Sequence, residues 1–332
     1  MKKFNISSAV RSCGVVLLAS LAALATASNA SAQQFGVVLD NGDTEGYTLF
    51  APVRGTSAYL IDEDGRLVNR WQDPDGYAGG TGMYLTERGT LVRTSSIGNS
   101  GRAGAGAGGL IREYNWDGDV IWDFVYDDPT YWTHHDIALL PNGNVLITAF
   151  ETVVLDETGS CRNADDSINR APVPEGRQLD HLIEVKPDYE NGAGGEIVWE
   201  WHLCDHLGAD DPGKWSGPQN YNSIDYHPER DHILIGCNAC NELFIIDHDT
   251  TSAEAQGPAG DFIYRWGNPA NFGVSGDRVL GGQHTVRFIK SEFGVNLGSD
   301  KNKGQRRKAK RNNVGNIILY NNRHTACEAP GC

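Results

Sequence analysis

Two histidines and an asparagine each begin an apolar stretch that is typical of a β-strand. They are His135 in "HDIALL", Asn222 in "NSIDY" and His284 in "HTVRFI", and Thr81 in "TGMYL" holds the corresponding place. A neutral imidazole is a nucleophile, and a protonated imidazole is an acid. Amides and a second imidazole can donate hydrogen bonds to an anionic oxygen. These residue types predict transfer of a group through a histidine, if the fold brings them together.

A repeated strand pattern would position these residues. Strand–turn–strand segments such as "LIREYNWDGDVIWDF" alternate with segments such as "HDIALLPNGNVLITAF". Two such hairpins make a four-stranded antiparallel unit of roughly 45 to 60 residues, as in a propeller blade. We count five units, of which the first and last are incomplete, and no amphipathic helix of useful length separates them. The pattern therefore predicts an all-β protein, a β-propeller, whose last blades are incomplete in this chain.

The repeat brings distant residues to one place, because the innermost strand of every propeller blade faces the central axis. Aligning the inner strands on their turns, "LTERG", "LPNG" and "YHPERD", makes four residues equivalent, which we call the ring positions: Thr81, His135, Asn222 and His284. Thr133, His134, Asn220 and Tyr221 lie just upstream and would line the same pocket, and Asn238 ends the next strand of its blade. The alternative is that such polar residues only cap blade ends.

The N-terminus has the pattern of a secretory signal peptide over residues 1–32. Lys2, Lys3 and Arg11 precede the apolar run "GVVLLASLAALA", and "ASA" predicts cleavage after Ala32. The apolar run is too short to span a membrane. We expect a mature domain over residues 33–332 that is periplasmic or secreted. The sequence stops after a strand that should be paired, so we also expect truncation at the C-terminus.

Charge and cysteine content exclude some classes of partner and site. Removing residues 1–32 takes away three of the 28 basic residues and none of the 43 acidic ones, so the net charge falls from −15 to −18. A chain this acidic repels nucleic acid and anionic membranes, and the basic stretch 301–311 is best explained as a solvated loop. Six cysteines remain, and an even number in an exported chain suggests disulfides.

Neither a metal nor a cofactor is expected from the sequence. Cys237 and Cys240 form a CxxC that could be combined with His202, Cys204 and His206 as a zinc site, but no second CxxC completes the set. The "GAGAGG" stretch at 104–109 contains GxGxxG, yet a strand and not a helix follows it, so we interpret it as a flexible inter-strand loop.

Several motifs, taken in order, resemble the PAPS-independent bacterial arylsulfate sulfotransferase family. These are "GYTLFAP", "HHDIALLPNGNVL", "GGEIVWEWH", "NSIDYHPERDHIL", "RWGNP", "GQH" and "GNIILYNN", and they cover nearly the whole mature chain. The resemblance implies a six-bladed propeller. It also implies transfer of a sulfuryl group from an aryl sulfate to a phenol through a sulfohistidine intermediate.

The resemblance also implies roles for individual residues. His284 matches the nucleophile, Asn222 matches an asparagine that binds the sulfuryl group, and "HHD" matches a second histidine, for which the repeat favours His135 over His134. The chain has Asn220 where the family usually has His, and Asn238 where it usually has Arg. The alternatives are a non-catalytic exported propeller that binds a ligand or partner at the channel mouth, or a quinone-cofactor dehydrogenase propeller.

Overall fold

The structure is a computed structural model, and it describes residues 46–52, 54–98, 106, 108–155, 176–206, 219–289 and 316–322. The predicted signal peptide, the basic stretch 301–311 and the C-terminal end of the sequence lie outside these residues. The chain has two compact units, residues 1–48 with 61–68, and residues 49–60 with 69–332. All of the candidate site residues belong to the second unit.

The described part of the first unit consists of residues 46–48 and 61–68, which include the hairpin turn "DEDG". Asp62 organises this turn, since its carbonyl accepts from the Gly65 amide at 3.0 Å and its carboxylate accepts from the Arg66 amide at 2.8 Å. Gly65 has a φ of 73°, which glycine adopts without steric cost.

Strands dominate the described residues. They are β1 (Thr48–Phe50), β2 (Ser57–Ile61), β3 (Leu67–Gln72), β4 (Ala78–Leu85), β5 (Leu91–Ser96), β6 (Gly109–Tyr114), β7 (Val120–Val125), β8 (Tyr131–Leu139), β9 (Val145–Val153), β10 (Arg177–Pro187), β11 (Gly195–His202), β12 (Tyr221–His227), β13 (His232–Cys237), β14 (Glu242–Asp247), β15 (Tyr264–Trp266), β16 (His284–Phe288) and β17 (Ile317–Tyr320). Helix in these ranges is limited to α1 (Ser252–Ala255) and the 3₁₀ turns Leu203–His206, Pro258–Gly260 and Pro269–Phe272. None of the described helices has the length and apolar character needed to cross a membrane.

The strands form five antiparallel sheets. Three sheets have four strands, in the orders β4-β5-β6-β7, β8-β9-β10-β11 and β12-β13-β14-β15. The sheet before them has the order β1-β2-β3, and β16 pairs with β17 after them. The prediction of an all-β protein is therefore confirmed, and the propeller with its number of blades stays a prediction.

Short polar turns close the hairpins where the sequence predicts them. In "LPNG", the Gly143 amide donates to the Leu140 carbonyl and the Leu140 amide donates to the Asn144 carbonyl, both at 3.0 Å. Gly143 has a φ of 87°, a conformation that disfavours residues with a Cβ. The turn therefore fixes the register of β8 against β9.

The apolar core lies between successive sheets of the second unit. Ile137 and Ile147 of one sheet pack with Ile111 and Trp122 of the preceding sheet, and all four side chains are fully buried. A larger cluster joins β9–β11 to β12–β14 in the same way, and a smaller one joins β13 and β14 to β16. The four inner strands β4, β8, β12 and β16 contact one another in chain order.

Candidate functional site

Each inner strand has a break in its pairing register at its ring position. The breaks lie between Gly79 and Met83 in β4, between Thr133 and Ile137 in β8, between Tyr221 and Ser223 in β12, and between His284 and Arg287 in β16. In β4 and β8 three residues, 80–82 and 134–136, oppose a single residue of the next strand. Thr81 and His135 are the central residues of these two bulges, as the repeat alignment requires. Bulges re-aim side chains out of the sheet alternation.

A threonine on the neighbouring strand holds each of these two bulges. In the first, the Thr94 hydroxyl of β5 accepts from the Gly82 amide at 3.1 Å. In the second, the Thr148 hydroxyl of β9 accepts from the Asp136 amide at 3.2 Å and also contacts the His134 carbonyl. The hydroxyls replace ladder bonds that the bulges interrupt, so the strands can leave regular pairing without orphaned buried amides.

Hydrogen bonds connect the ring positions across neighbouring sheets. The Thr81 hydroxyl donates to the His135 carbonyl at 2.8 Å. The Asn222 side-chain amide donates to the Gln283 carbonyl at 2.8 Å, beside His284. His135 and Asn222 are 8% and 4% exposed, and His284 is half-buried. Thr81 is thus bound to the backbone at His135, and Asn222 is bound to the backbone beside His284.

The two adjacent histidines of β8 form a chain with a buried carboxylate. Nδ1 of His134 lies 2.9 Å from Nδ1 of His135, so one of these nitrogens donates to the other. Nε2 of His134 lies 3.2 Å from Asp180 Oδ1, and the His134 ring stacks on Phe150 with 3.6 Å between centroids. His134 therefore packs against the sheet and holds His135, which agrees with the preference for His135 as the ring residue.

His135 is a neutral imidazole. Burial, followed by the charges of His134 and His284, lowers its pKa from 6.5 to about 3. The effect of His284 indicates that the two predicted catalytic histidines are close enough to interact electrostatically. At physiological pH His135 is therefore a hydrogen-bonding group and not a source of a proton.

Gly106 of the "GAGAGG" stretch packs directly on the His135 ring. A Cβ added to Gly106 would lie 2.2 Å from both Cε1 and Nε2 of His135, and the φ of Gly106 is 88°. The His135 amide donates to the Gly106 carbonyl at 2.9 Å. The interpretation of this stretch as only a flexible loop was wrong at Gly106, because that glycine positions an imidazole.

The surroundings of His284 select its reactive nitrogen. Nδ1 of His284 lies 3.0 Å from the Gly282 carbonyl and 2.9 Å from the Asn322 side-chain amide. A carbonyl oxygen only accepts, so Nδ1 carries the proton and Nε2 carries the lone pair. The Asn322 contact is made by its side-chain nitrogen, which is a donor, so the Gly282 carbonyl alone supports this tautomer. Nε2 is then the nitrogen that carries the lone pair.

The remaining predicted residues lie around Gln283 and Asp180. The Asn238 side chain donates to the Gln283 carbonyl at 3.2 Å, and the Asn238 amide donates to the Asn220 carbonyl at 3.1 Å. Asp180 accepts from the backbone amides of Asn220 and Tyr221 at 2.9 and 2.7 Å. Asn220 has a φ of 58°, which asparagine tolerates better than most residues. The Gln283 carbonyl therefore binds both Asn222 and Asn238, next to His284.

The CxxC lies beside Gln283. The sulfur atoms of Cys237 and Cys240 are at disulfide distance, and their Cα atoms are 5.4 Å apart. The Gln283 side chain donates to the Cys237 carbonyl at 2.7 Å. The disulfide interpretation of this pair therefore fits better than the zinc interpretation.

A second set of side chains lies three residues after each ring position along the sequence. It comprises Tyr84, Ala138, Asp225 and Arg287, which line a cavity of about 450 Å³. Between the ring positions and this set, Asp136 accepts from the Tyr84 hydroxyl at 2.7 Å and pairs with Arg287 at 3.0 Å. None of the four ring positions lines this cavity, so the ring and the cavity are separate places on the inner strands.

Sequence reasoning missed Asp180, Gln283, Asn322 and Gly106. Only Gln283 had a signal, as the neighbour of His284 in "GQH", whereas the other three act through contacts between distant parts of the chain.

Comparison with known proteins gives one family. The arylsulfotransferase (ASST) family model matches residues 46–315. No curated protein matches the chain. Similar solved structures include hydrazine synthase of Kuenenia stuttgartiensis (14% identity, 73% of this chain and 61% of that chain, TM-score 0.45) and a Bacteroides caccae protein of unknown function (12%, 67% and 58%, TM-score 0.38). Another is an inactive virginiamycin B lyase of Staphylococcus aureus with quinupristin (14%, 87% of each chain, TM-score 0.37). The chain thus spans about three fifths of the length of the first two structures.

Proposed function

Since this chain belongs to the arylsulfotransferase family, we propose that it transfers a sulfuryl group from an aryl sulfate to a phenolic acceptor. The family membership supports this reaction class and these two kinds of substrate. The observation that supports the assignment to a site is the place of two histidines at register breaks of strands that contact a common neighbour, β12: His135 in β8 and His284 in β16.

The first step forms a bond between His284 Nε2 and the sulfur of the aryl sulfate. The lone pair of Nε2 attacks sulfur, the bond between sulfur and the aryl oxygen breaks, and the phenolate leaves with that electron pair. The Gly282 carbonyl, 3.0 Å from Nδ1, stabilises the positive charge that develops on the imidazole. The product of this step is a sulfohistidine.

The second step returns the sulfuryl group to an oxygen. The oxygen of the acceptor phenol attacks sulfur, the bond between sulfur and Nε2 breaks, and the phenolic proton leaves to solvent. His284 recovers its lone pair, so the enzyme is unchanged after both steps.

Neutral polar groups hold the sulfuryl oxygens in this proposal. His135, whose buried imidazole is neutral, and Asn222 orient the group from the neighbouring inner strands. His134 positions His135 through the contact between their Nδ1 atoms. Asn220 and Asn238 line the same place, where the family usually has a histidine and an arginine.

The fold and the location are part of the same proposal. Five antiparallel sheets packed in chain order, with inner strands in contact, support a propeller, and the family resemblance suggests six blades. We further propose that the protein acts in the periplasm or outside the cell, as the N-terminal sequence pattern predicts.

A second candidate function is ligand binding at the ring without turnover. The neutral side chains at Asn220 and Asn238 favour it, because each replaces a group that would stabilise charge on the sulfuryl oxygens or on the leaving phenolate. Losing one such donor costs roughly 2.7–4 kcal/mol of barrier, or about a hundred- to a thousand-fold in rate.

One experiment separates the two functions. The mature chain is incubated with 4-nitrophenyl sulfate and a phenol, and release of nitrophenol is followed together with the intact mass of the protein. We expect turnover and a mass increase of one SO₃ group, both lost in His284→Ala and retained in His232→Ala at the start of β13. Thermal stabilisation by aryl sulfates without turnover would favour the binding function, and equal rates for wild type and His284→Ala would overturn the proposed mechanism.

A further inference from the structure

A second cluster of histidines lies in the outer strands of the sheet that carries His135. His181 of β10 pairs directly with His202 of β11, so their side chains share one face of the sheet. His181 also pairs with Ala149 of β9, and Glu151 follows Ala149 by two residues. Since side chains alternate along a strand, Glu151 lies on the same face as both histidines.

These three side chains converge in the interior. Glu151 and His181 are completely buried, and His202 is 2% exposed. Nδ1 of His202 lies 3.0 Å from Glu151 Oε1, and each of the three residues offers a ligand atom within 4.8 Å of the other two. The imidazoles of His181 and His202 are parallel, with 5.0 Å between ring centroids.

In each imidazole, a side chain outside the cluster contacts the Nε2 nitrogen. Nε2 of His181 lies 3.3 Å from the Tyr126 hydroxyl, and Nε2 of His202 lies 3.1 Å from the Glu200 carboxylate. A histidine that binds a metal usually makes such a contact with its other nitrogen, which fixes the tautomer and the ring orientation. Nδ1 is therefore the metal-binding atom of each ring.

From this arrangement we propose that Glu151, His181 and His202 form a binding site for a divalent transition-metal ion, with Zn²⁺ as the best match. Two imidazoles and one carboxylate are a ligand set that zinc and its first-row neighbours accept, with water in the remaining position. A cation also offsets the large cost of burying a carboxylate. The site joins β9, β10 and β11, so its effect is to stabilise this sheet.

This set differs from the zinc site considered from the sequence, which combined His202 with cysteines. The ligands found here come from three neighbouring strands, and only the strand register brings Glu151 and His181 to His202. Glu200, which contacts His202, has a side chain that is 43% exposed.

His248 provides a contrast within the same chain. Its two nitrogens lie 2.8 Å from Glu184 and 2.7 Å from Asp231, so it is a single imidazole between two carboxylates. One imidazole that bridges two acids is a salt-bridge arrangement with no second nitrogen ligand. His248→Gln is therefore a matched control for the loss of a buried histidine that does not bind the metal.

The test uses tag-free mature protein that has been treated with a chelator at slightly alkaline pH. Zn²⁺ or Co²⁺ is added back, and metal content, thermal stability and the visible spectrum of Co²⁺ are measured. We expect one equivalent of metal per chain, a higher melting temperature with metal, and a Co²⁺ spectrum typical of four or five ligands that Zn²⁺ abolishes.

Variants then assign the ligands. His181→Gln and Glu151→Gln should lose stoichiometric binding, while His248→Gln should retain it. Glu200→Gln changes only an outer contact at an exposed position, so it keeps the protein folded and should weaken binding about 10- to 100-fold. Absence of stoichiometric metal in wild type, or equal binding by wild type, Glu151→Gln and Glu200→Gln, would overturn the proposal. None of these readouts depends on sulfuryl transfer, so the two proposals fail independently.

Discussion

Replacing Gly106 with alanine tests whether the orientation of His135 matters for activity. The new Cβ would lie 2.2 Å from Cε1 and Nε2 of the imidazole and 2.4 Å from Cδ2. Carbon atoms in contact are normally about 3.5–4.0 Å apart, so the ring or the Gly106 backbone must move by roughly 1.5 Å. The ring is the moving part that reaches the site, and among the described residues its Nδ1 contacts the neighbouring His134 ring.

Two costs of different kind follow from this substitution. The φ of 88° at Gly106 strains any residue with a Cβ, which costs roughly 1–3 kcal/mol of folding stability. Displacement of a positioning group by about 1 Å can slow a reaction about 100-fold. We therefore expect Gly106→Ala to lower the melting temperature by several degrees and kcat/KM by about two orders of magnitude.

Gly118→Ala is the control that separates the two costs. Gly118 has a φ of 95° in the turn between β6 and β7, and a Cβ there meets nothing within 4 Å. Rates of nitrophenol release and thermal unfolding are measured for wild type and both variants. Both variants should lose stability, but only Gly106→Ala should lose activity. If Gly106→Ala turns over as fast as Gly118→Ala, then His135 does not need its observed position and the assigned role is wrong.

Three further outcomes are expected. Asn238→Arg should raise the transfer rate, by up to about a thousand-fold if one charge-stabilising donor is fully restored, and an unchanged rate would favour the binding function. Burial lowers the pKa of His248, but hydrogen bonds and charges from Glu184 and Asp231 outweigh it and raise this pKa above 6.5. The stabilisation of the folded state by protonated His248 is therefore present below the ordinary histidine pKa, and it is lost as pH rises through the raised value. His248→Gln should therefore lower the melting temperature more near pH 6 than near pH 9. An equal loss at both pH values would contradict the raised pKa of His248. Asp180→Asn should lower the free energy of unfolding by about 1–3 kcal/mol in chemical denaturation, because a side-chain NH₂ would face one of the two backbone amides. An unaltered unfolding midpoint would contradict this role of the carboxylate.

The architecture was predictable because its determinants are local. Turns such as "LPNG", and strands that alternate or run apolar, lie within a few residues of one another, and they specify each hairpin separately. The pairing of hairpins into four-stranded sheets then follows from their order along the chain. The ring alignment also used only local turns, and the equal bulges centred on Thr81 and His135 show why it worked in those two strands.

The parts of the site that the sequence did not predict depend on long-range contacts. Asp180 is separated from the amides it binds by 40 and 41 residues, and Asn322 is 38 residues from His284. Gly106 and His135 are likewise distant in sequence, and only the fold brings them into contact. A single sequence does not show which distant residues come into contact, and the residue types involved are common in ordinary loops.

The two histidines need opposite environments, and the structure supplies both. In the proposed mechanism the nucleophile needs a neighbour that stabilises the positive charge it acquires, and the Gly282 carbonyl lies 3.0 Å from Nδ1 of half-buried His284. A group that orients an anion without exchanging a proton must stay neutral, and burial keeps His135 so. If His135 were protonated, its charge would oppose the positive charge that develops on His284 as sulfur is attacked. In the proposed mechanism, burial of His135 would therefore keep a second cation away from the sulfohistidine.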